Sequence, residues 1–219
     1  NIAIQGMAAI PHLRKNPGHI ITTAVEHPAV LHVVRYLETL GWEATYLPVD
    51  KAGRIDPESL KESLRPETRM VSIMLVNNEL GTIMPYREIS RIIQDANNGR
   101  QNPIILHCDA VQALGKIPVD IAALGCHMAT FSAHKIGGPK GVGLLYVKRG
   151  TPLRPIMYGG GQERGLRPGT ENVPGIVGLT KAVTLALENL NANAAHMHRL
   201  REALLERLMS IPDAAVNSP

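Results

Sequence analysis

Several short apolar runs in this chain end on a side chain able to do chemistry. HIITTAVE leads into His27, RMVSIMLV into Asn77 and Asn78, PIILHC into Asp109 with Gln112 close behind, and HMATFSA into His134 and Lys135. An imidazole, an amide, a carboxylate and an amine at successive strand exits suit a site beyond the carboxyl ends of an open α/β sheet, where such folds bind their ligands.

Lys135, beside a histidine and just before the GGPKG turn, can serve as an amine nucleophile toward a carbonyl. Lysine with an aspartate partner is the residue pair of pyridoxal 5'-phosphate chemistry. The amine bonds the aldehyde, and the carboxylate keeps the pyridine nitrogen protonated. Asp109 is the candidate carboxylate. On these two residues alone, a surface lysine and a turn-capping aspartate is the simpler reading. His27 can stack on a planar cofactor or exchange a proton near neutral pH, and it equally suits the cap of a helix opening at Pro28. Asn78 and Gln112 can hydrogen-bond a phenolic oxygen, or simply shape turns. Ser132, His134 and loop amides can hold a phosphate dianion, although a strand serine can equally turn to the backbone. The glycines 159–161 lack the spacing of a dinucleotide fingerprint, and no P-loop sequence occurs. Cys126 and His127, adjacent in a strand, point to opposite faces, so no metal site is expected.

Alternating strand and helix patterns from Ile20 to about Lys148 must position these groups. A helix after Pro28 shows apolar Val30, Val33, Val34, Leu37 and Leu40, with Gly41 as its stop. Asp56-Pro57 caps a helix running to Leu64, and another spans Glu88 to Ala96. RMVSIMLV is continuously apolar, as expected of a strand covered on both faces. The order predicts an α/β layer with a mostly parallel sheet flanked by helices. KGVGLLYVKRG reads as an antiparallel strand, and the glycine-rich segment 153–172 as a loop lying against another surface. Helices over about 173–190 and 195–210 close the chain, the second with an apolar stripe of Met197, Leu200, Leu204 and Leu208 expected to be core.

Composition narrows the function class. With 219 residues, 44% of them hydrophobic and 19% charged, the chain has the makings of one large globular domain, or one and a half small ones, and not of a disordered one. Aromatics at 3% leave no stacking platforms for single-stranded nucleic acid, and a dispersed net charge of +4 marks no nucleic-acid binder. No apolar run approaches the ~18 residues of a membrane span. The only cysteines, Cys108 and Cys126, form neither a disulfide framework nor a zinc spacing, so a reducing compartment is expected.

Segments VEHPAVL, LPVDKAGRID, VNNELGT, HCDAVQALGKIPVD, FSAHKIGGPKGVGLLYVKRG and GGGQERGLRPGTEN resemble the cysteine desulfurases of the nitrogen-fixation and iron–sulfur-assembly type, and are similar also to selenocysteine lyases. The resemblance runs from the start of the chain to about Leu190. It implies a fold-type I pyridoxal-phosphate enzyme of the class V aminotransferase group, a homodimer with a mainly parallel seven-stranded sheet. The implied activity is conversion of L-cysteine to L-alanine, with sulfur carried as an enzyme persulfide to an acceptor or scaffold protein. Selenocysteine is the alternative substrate. A non-catalytic remnant or dimerisation module is the alternative of another class.

By the same resemblance, Lys135 is the lysine that bonds the cofactor, Asp109 the partner of its ring nitrogen, and His27 the stacked histidine that moves protons. Gln112 and Asn78 lie near the phenolic oxygen, and Ser132 and His134 near the phosphate. Thr170, in RPGTEN, is the threonine lent to the phosphate by the neighbouring subunit. The family's full sequences carry a further phosphate-binding turn before this start and, beyond this end, a small domain with the catalytic cysteine. Residues 1–190 are therefore expected to be the cofactor-binding large domain and 191–219 the connection to the small one. The expected compartment is the cytoplasm or the mitochondrial matrix.

Overall fold

The computed structural model describes residues 1–219. Its centre is a six-stranded sheet in the order β2-β1-β3-β4-β5-β6. The strands are β1 (His19–Thr23), β2 (Glu43–Leu47), β3 (Thr68–Met74), β4 (Ile105–Asp109), β5 (Met128–Ser132) and β6 (Gly143–Val147). Every neighbouring pair is parallel except β5 with β6, where the chain doubles back. The resemblance implied seven strands. After β6 the only regular structure is helical, so this chain supplies no seventh.

Helices cover both faces. Against one lie α4 (Pro57–Glu62), α5 (Tyr86–Asn97) and α6 (Ile121–Leu124); Leu60, Ile89 and Ile93 pack there on Ile21, Val71, Ile73, Leu106 and Ala129. Against the other lie α1 (Ile2–Ala8), α2 (Pro11–Lys15) and α3 (Pro28–Glu38). Ile4, Met7, Val30, Val33, Val34 and Leu37 meet Ile20, Met70, Ile105 and Met128 there. Side chains alternate along a strand. On this second face the same parity therefore carries Thr22, Ser72, His107, Asp109, Thr130 and Ser132, and the sheet turns polar toward its carboxyl ends.

Caps set the helix starts. His27 Nδ1 accepts the Ala29 amide at 3.1 Å ahead of Pro28, and Asp56 accepts the Glu58 amide at 3.0 Å ahead of Pro57. Leu40 falls beyond the end of α3 and is exposed, so it is not part of that helix's inner face.

β5 ends at Ser132 and tightens into a 3₁₀ turn, Ala133–Ile136, closed by Gly137 with φ +79°. This turn carries His134 and Lys135, and α7 (Val173–Glu188) braces it. At Gly178 the helix approaches so closely that a Cβ there would lie 2.5 Å from Pro139 Cγ.

The chain ends in α8 (Leu190–Leu208), none of whose residues is buried. Met197, Leu200, Leu204 and Leu208 are 42–58% exposed, so the stripe expected to be core is a surface here. Periodicity located its helix and its face correctly, but nothing in residues 1–219 packs on that face. The glycine-rich segment likewise anchors only at its start, where Arg154 N donates to Gly6 O at 3.0 Å. Beyond that it is open loop with a single 3₁₀ turn, Glu163–Gly165. No helix is long and apolar enough to cross a membrane.

Candidate active site

A cavity of about 570 Å³ opens at the carboxyl ends of the strands, between the sheet, α1 and the start of α3. The size suits a small organic ligand, for which sites of roughly 300–1,000 Å³ are usual. His27, Asn78, Asp109, Gln112, Ser132, His134 and Lys135 all line it. Of the residues singled out in the sequence, only Thr170 stands elsewhere, exposed on the glycine-rich loop.

The lining groups come from several elements, and the local structure often decides the role of each. Asn77 and Asn78 divide the work. Asn77 is buried, and its side chain accepts the amides of Glu79 and Leu80 and donates to Val25 O, which builds the turn. Asn78 is left to face the cavity. Gln112 Oε1 accepts from Lys116 Nζ at 2.6 Å, so the amide's own N–H groups are free to point inward as donors. Lys116 had no role in the sequence reading; its spacing of four from Gln112 on one turn was the available signal. Ser132 Oγ and His134 Nδ1 lie 2.8 Å apart, pairing a hydroxyl with an imidazole at the cavity rim.

His27 holds both roles open in the sequence. Its Nδ1 caps α3, which places the neutral ring's proton on Nε2, and the ring also lines the cavity. Two substitutions separate these roles. His27→Ala is expected to cost about 1 kcal/mol of stability through the lost cap. His27→Asn, which can still cap, should keep the parental denaturation midpoint. A loss of ligand binding that is equal in both variants assigns the effect to the ring in the cavity, and a loss confined to alanine assigns it to the cap.

Asp109 ends β4 with Oδ1 accepting the Val111 amide at 3.0 Å. Burial pushes its carboxyl up, an effect the Val111 hydrogen bond and the nearby His27 partly offset. A carboxylate in that position gains from a cationic partner inside the cavity. Lys116 is pushed down, first by burial and then by the charge of Lys135, so two amines stand near each other at this end of the sheet.

Two buried groups were missing from the sequence reading. Glu26, 3% exposed, ties the end of β1 to that of β3: its Oε1 accepts the Met74 amide at 2.8 Å and the Thr23 hydroxyl at 3.0 Å. His107, 2% exposed, lines the cavity floor. Its signal was its parity with Asp109, two residues along the same strand. The cysteines take no part. Neither lines the cavity, and burial pushes the thiol of Cys108 well up and that of Cys126 to about 11. His127 Nδ1 accepts the Leu106 amide at 3.0 Å, which ties the ring to the sheet.

The profile of the class V aminotransferase family matches residues 1–219. A cysteine desulfurase, IscS, of Methanosarcina thermophila is 45% identical over 217 residues, covering 99% of this chain and 52% of that protein. A cysteine desulfurase of a Nostoc species is 49% identical over 200 residues, covering 91% of this chain and 48% of that protein. The chain thus spans about half the length of the curated relatives it matches. Among solved structures, a NifS-like protein superposes with a TM-score of 0.92 at 43% identity, over 99% of this chain and 57% of its own. A structure described as SspA in complex with cysteine gives 0.78 at 39% identity, over 84% and 51%.

Proposed function

This chain belongs to the class V aminotransferase family, and from that premise we propose that it is the cofactor-binding part of a pyridoxal-phosphate-dependent cysteine desulfurase. One observation carries the reading. Lys135 and Asp109, delivered by different strands, line the same cavity as His27, Gln112, Ser132 and His134. The residues fit the cofactor group by group: an amine for the aldehyde, a buried acid in want of a cation for the ring nitrogen, and a hydroxyl with an imidazole for the phosphate. The fold agrees with that of fold-type I enzymes of this class.

When bound, pyridoxal phosphate supplies an electron sink that stabilises negative charge at the α-carbon of an amino acid. The protein does the rest. Asp109 holds a proton on the ring nitrogen, and its burial strengthens that charge pairing. His27 covers the ring and moves protons beside it. Gln112, its carbonyl held by Lys116, presents N–H groups to the phenolic oxygen, with Asn78 beside it. Ser132 and His134 bind the phosphate, and Thr170 joins them from a second copy of the chain. The substrate is L-cysteine and the product L-alanine. Since Cys108 and Cys126 lie outside the cavity, the thiol that receives the sulfur is neither of them.

Residues 1–219 alone are expected to bind pyridoxal phosphate without completing sulfur transfer, so turnover by the full-length protein, loaded with pyridoxal phosphate and a reductant, tests the reading. Alanine released from L-cysteine, in step with sulfide, is the expected result. Release from selenocysteine alone would make the protein a selenocysteine lyase, and none from either would leave a binding or dimerisation module.

A further inference from the structure

The edge of the sheet opposite the cavity carries a second hollow, of about 470 Å³, at the loops that lead into β3 and β4. Arg65, Arg69 and Arg100 line it with Gln101 and Asn102, and no acidic residue does. The length of β3, seven residues or roughly 20 Å, separates it from the cavity at the other edge.

The backbone holds two of these guanidinium groups in place. Arg100 Nε donates to Ala96 O at 3.0 Å and its Nη2 to Arg65 O at 2.9 Å. Arg69 Nη1 donates to Pro66 O at 2.7 Å and to Thr68 O at 3.2 Å. Its stem lies against Gly18, where a Cβ would come within 2.6 Å of Arg69 Cγ. Carbonyls carry no net charge, so these bonds fix the two forks without neutralising them. Nε and Nη2 of Arg69 have no partner in the chain, nor do those of Arg65, whose Nη1 pairs with Glu43.

The charge balance identifies the missing partner. Glu43 offsets one of the three arginines, which leaves two positive charges at one hollow. A phosphate group carries close to two negative charges at neutral pH, whereas a carboxylate would balance only half the surplus. A guanidinium fork, with its parallel N–H groups, matches the oxygens of a phosphate, and a fork already held in place loses little freedom on binding one.

We propose that this hollow is a binding site for a phosphate dianion, free or esterified on a small molecule, gripped by the forks of Arg69 and Arg100 with Arg65 beside them. Its size lies within the roughly 300–1,000 Å³ usual for such ligands. The site is separate from the cofactor cavity, and the inference does not rest on the cofactor reading.

Calorimetric titration with inorganic phosphate tests it, using the full-length protein loaded with pyridoxal phosphate and freed of the excess. Saturable binding that weakens as sodium chloride is added is expected. Arg69→Gln should bind roughly tenfold more weakly, through the loss of charge-assisted hydrogen bonds. Glu43→Gln removes the offsetting acid from an exposed pair and should bind roughly two- to fivefold more tightly. A purely structural clamp on the loop carbonyls predicts no such gain.

No saturable binding by the parent, unchanged affinity in Arg69→Gln, or affinity not raised in Glu43→Gln overturns the proposal. Should Arg69→Gln fail to fold, Glu43→Gln decides alone. Glycerol phosphate titrated in parallel separates the sources: tighter binding of the ester assigns a phosphorylated small molecule, and tighter binding of the inorganic ion assigns free phosphate. A protein that takes up no pyridoxal phosphate defeats the cofactor reading, while these variants still decide the arginine site.

Discussion

Lys135→Ala is expected to abolish turnover, by on the order of 10⁴-fold or more, and to remove the visible absorbance of lysine-bound pyridoxal phosphate. The size of the effect follows from the role: no other amine stands at the exit of β5, and the covalent bond to the cofactor has no substitute. Stability should change by no more than about 0.5 kcal/mol, because Lys135 is exposed on the 3₁₀ turn and enters no ion pair. Lys116, close enough for the charge of Lys135 to act on it, is the natural alternative attachment point. The comparison variant Lys116→Met should keep the covalent bond and lose only the orientation of Gln112. Activity and absorbance surviving in Lys135→Ala and vanishing in Lys116→Met would reassign the nucleophile.

Glu26 sets the second large effect, on stability. Burial pushes its carboxyl from the ordinary 4.5 up to about 8; the Met74 amide and Thr23 hydroxyl pull it partly back, and the charge of Asp109 adds to the rise. The folded chain therefore keeps this proton between pH 4.5 and 8 while the unfolded chain releases it. Where the folded state binds more protons, stability falls as pH rises. The cost accumulates to roughly 3–5 kcal/mol by pH 8.5, at about 1.4 kcal/mol per pH unit. Glu26→Gln keeps the oxygen that accepts from Met74 and Thr23 but has nothing to titrate. Both proteins share a rise in stability toward pH 6.5 from His19 and His107, which burial holds neutral, so the expected signature is the difference: the parent loses stability relative to Glu26→Gln steadily from pH 5 to 8. Any constant cost of the extra amide hydrogens does not alter that difference in slope. Parallel curves would mean that Glu26 is charged in the fold.

The strand exits were legible because each followed a run of apolar residues long enough to cross the sheet. The sequence alone thus places His27, Asn78, Asp109 and Lys135 at one edge, and all four line the cavity. Less visible was the face of the sheet on which a polar residue falls. His107 sits inside PIILHCD, where it reads as one more strand residue, and only pairing with Ser72 across β3 and β4 shows that it lines the floor. Glu26 was hidden for a related reason. An acid beside a histidine looks like a solvated turn until β1 and β3 close around it.

Short elements were lost to the lack of a full period. α1 spans Ile2–Ala8 and α6 only Ile121–Leu124, too few residues to show a repeat, although Asp120 capping two amides was a usable sign. The stripe on α8 misled because periodicity reports which face of a helix is apolar, and says nothing of what covers it. Thr170 stands exposed on an open loop, and the role the resemblance implies for it, on the phosphate of a neighbouring subunit, involves no contact within one chain.

Borohydride trapping identifies the amine that bonds the cofactor. The chain is incubated with pyridoxal phosphate, reduced with sodium borohydride to turn the lysine–cofactor linkage into a stable amine, digested, and mapped by mass spectrometry. A single stoichiometric pyridoxyl group is expected on the peptide carrying Lys135, and it should be lost in Lys135→Ala. A label on Lys116 or scattered over surface lysines, or no label above that of an unfolded control, would contradict it.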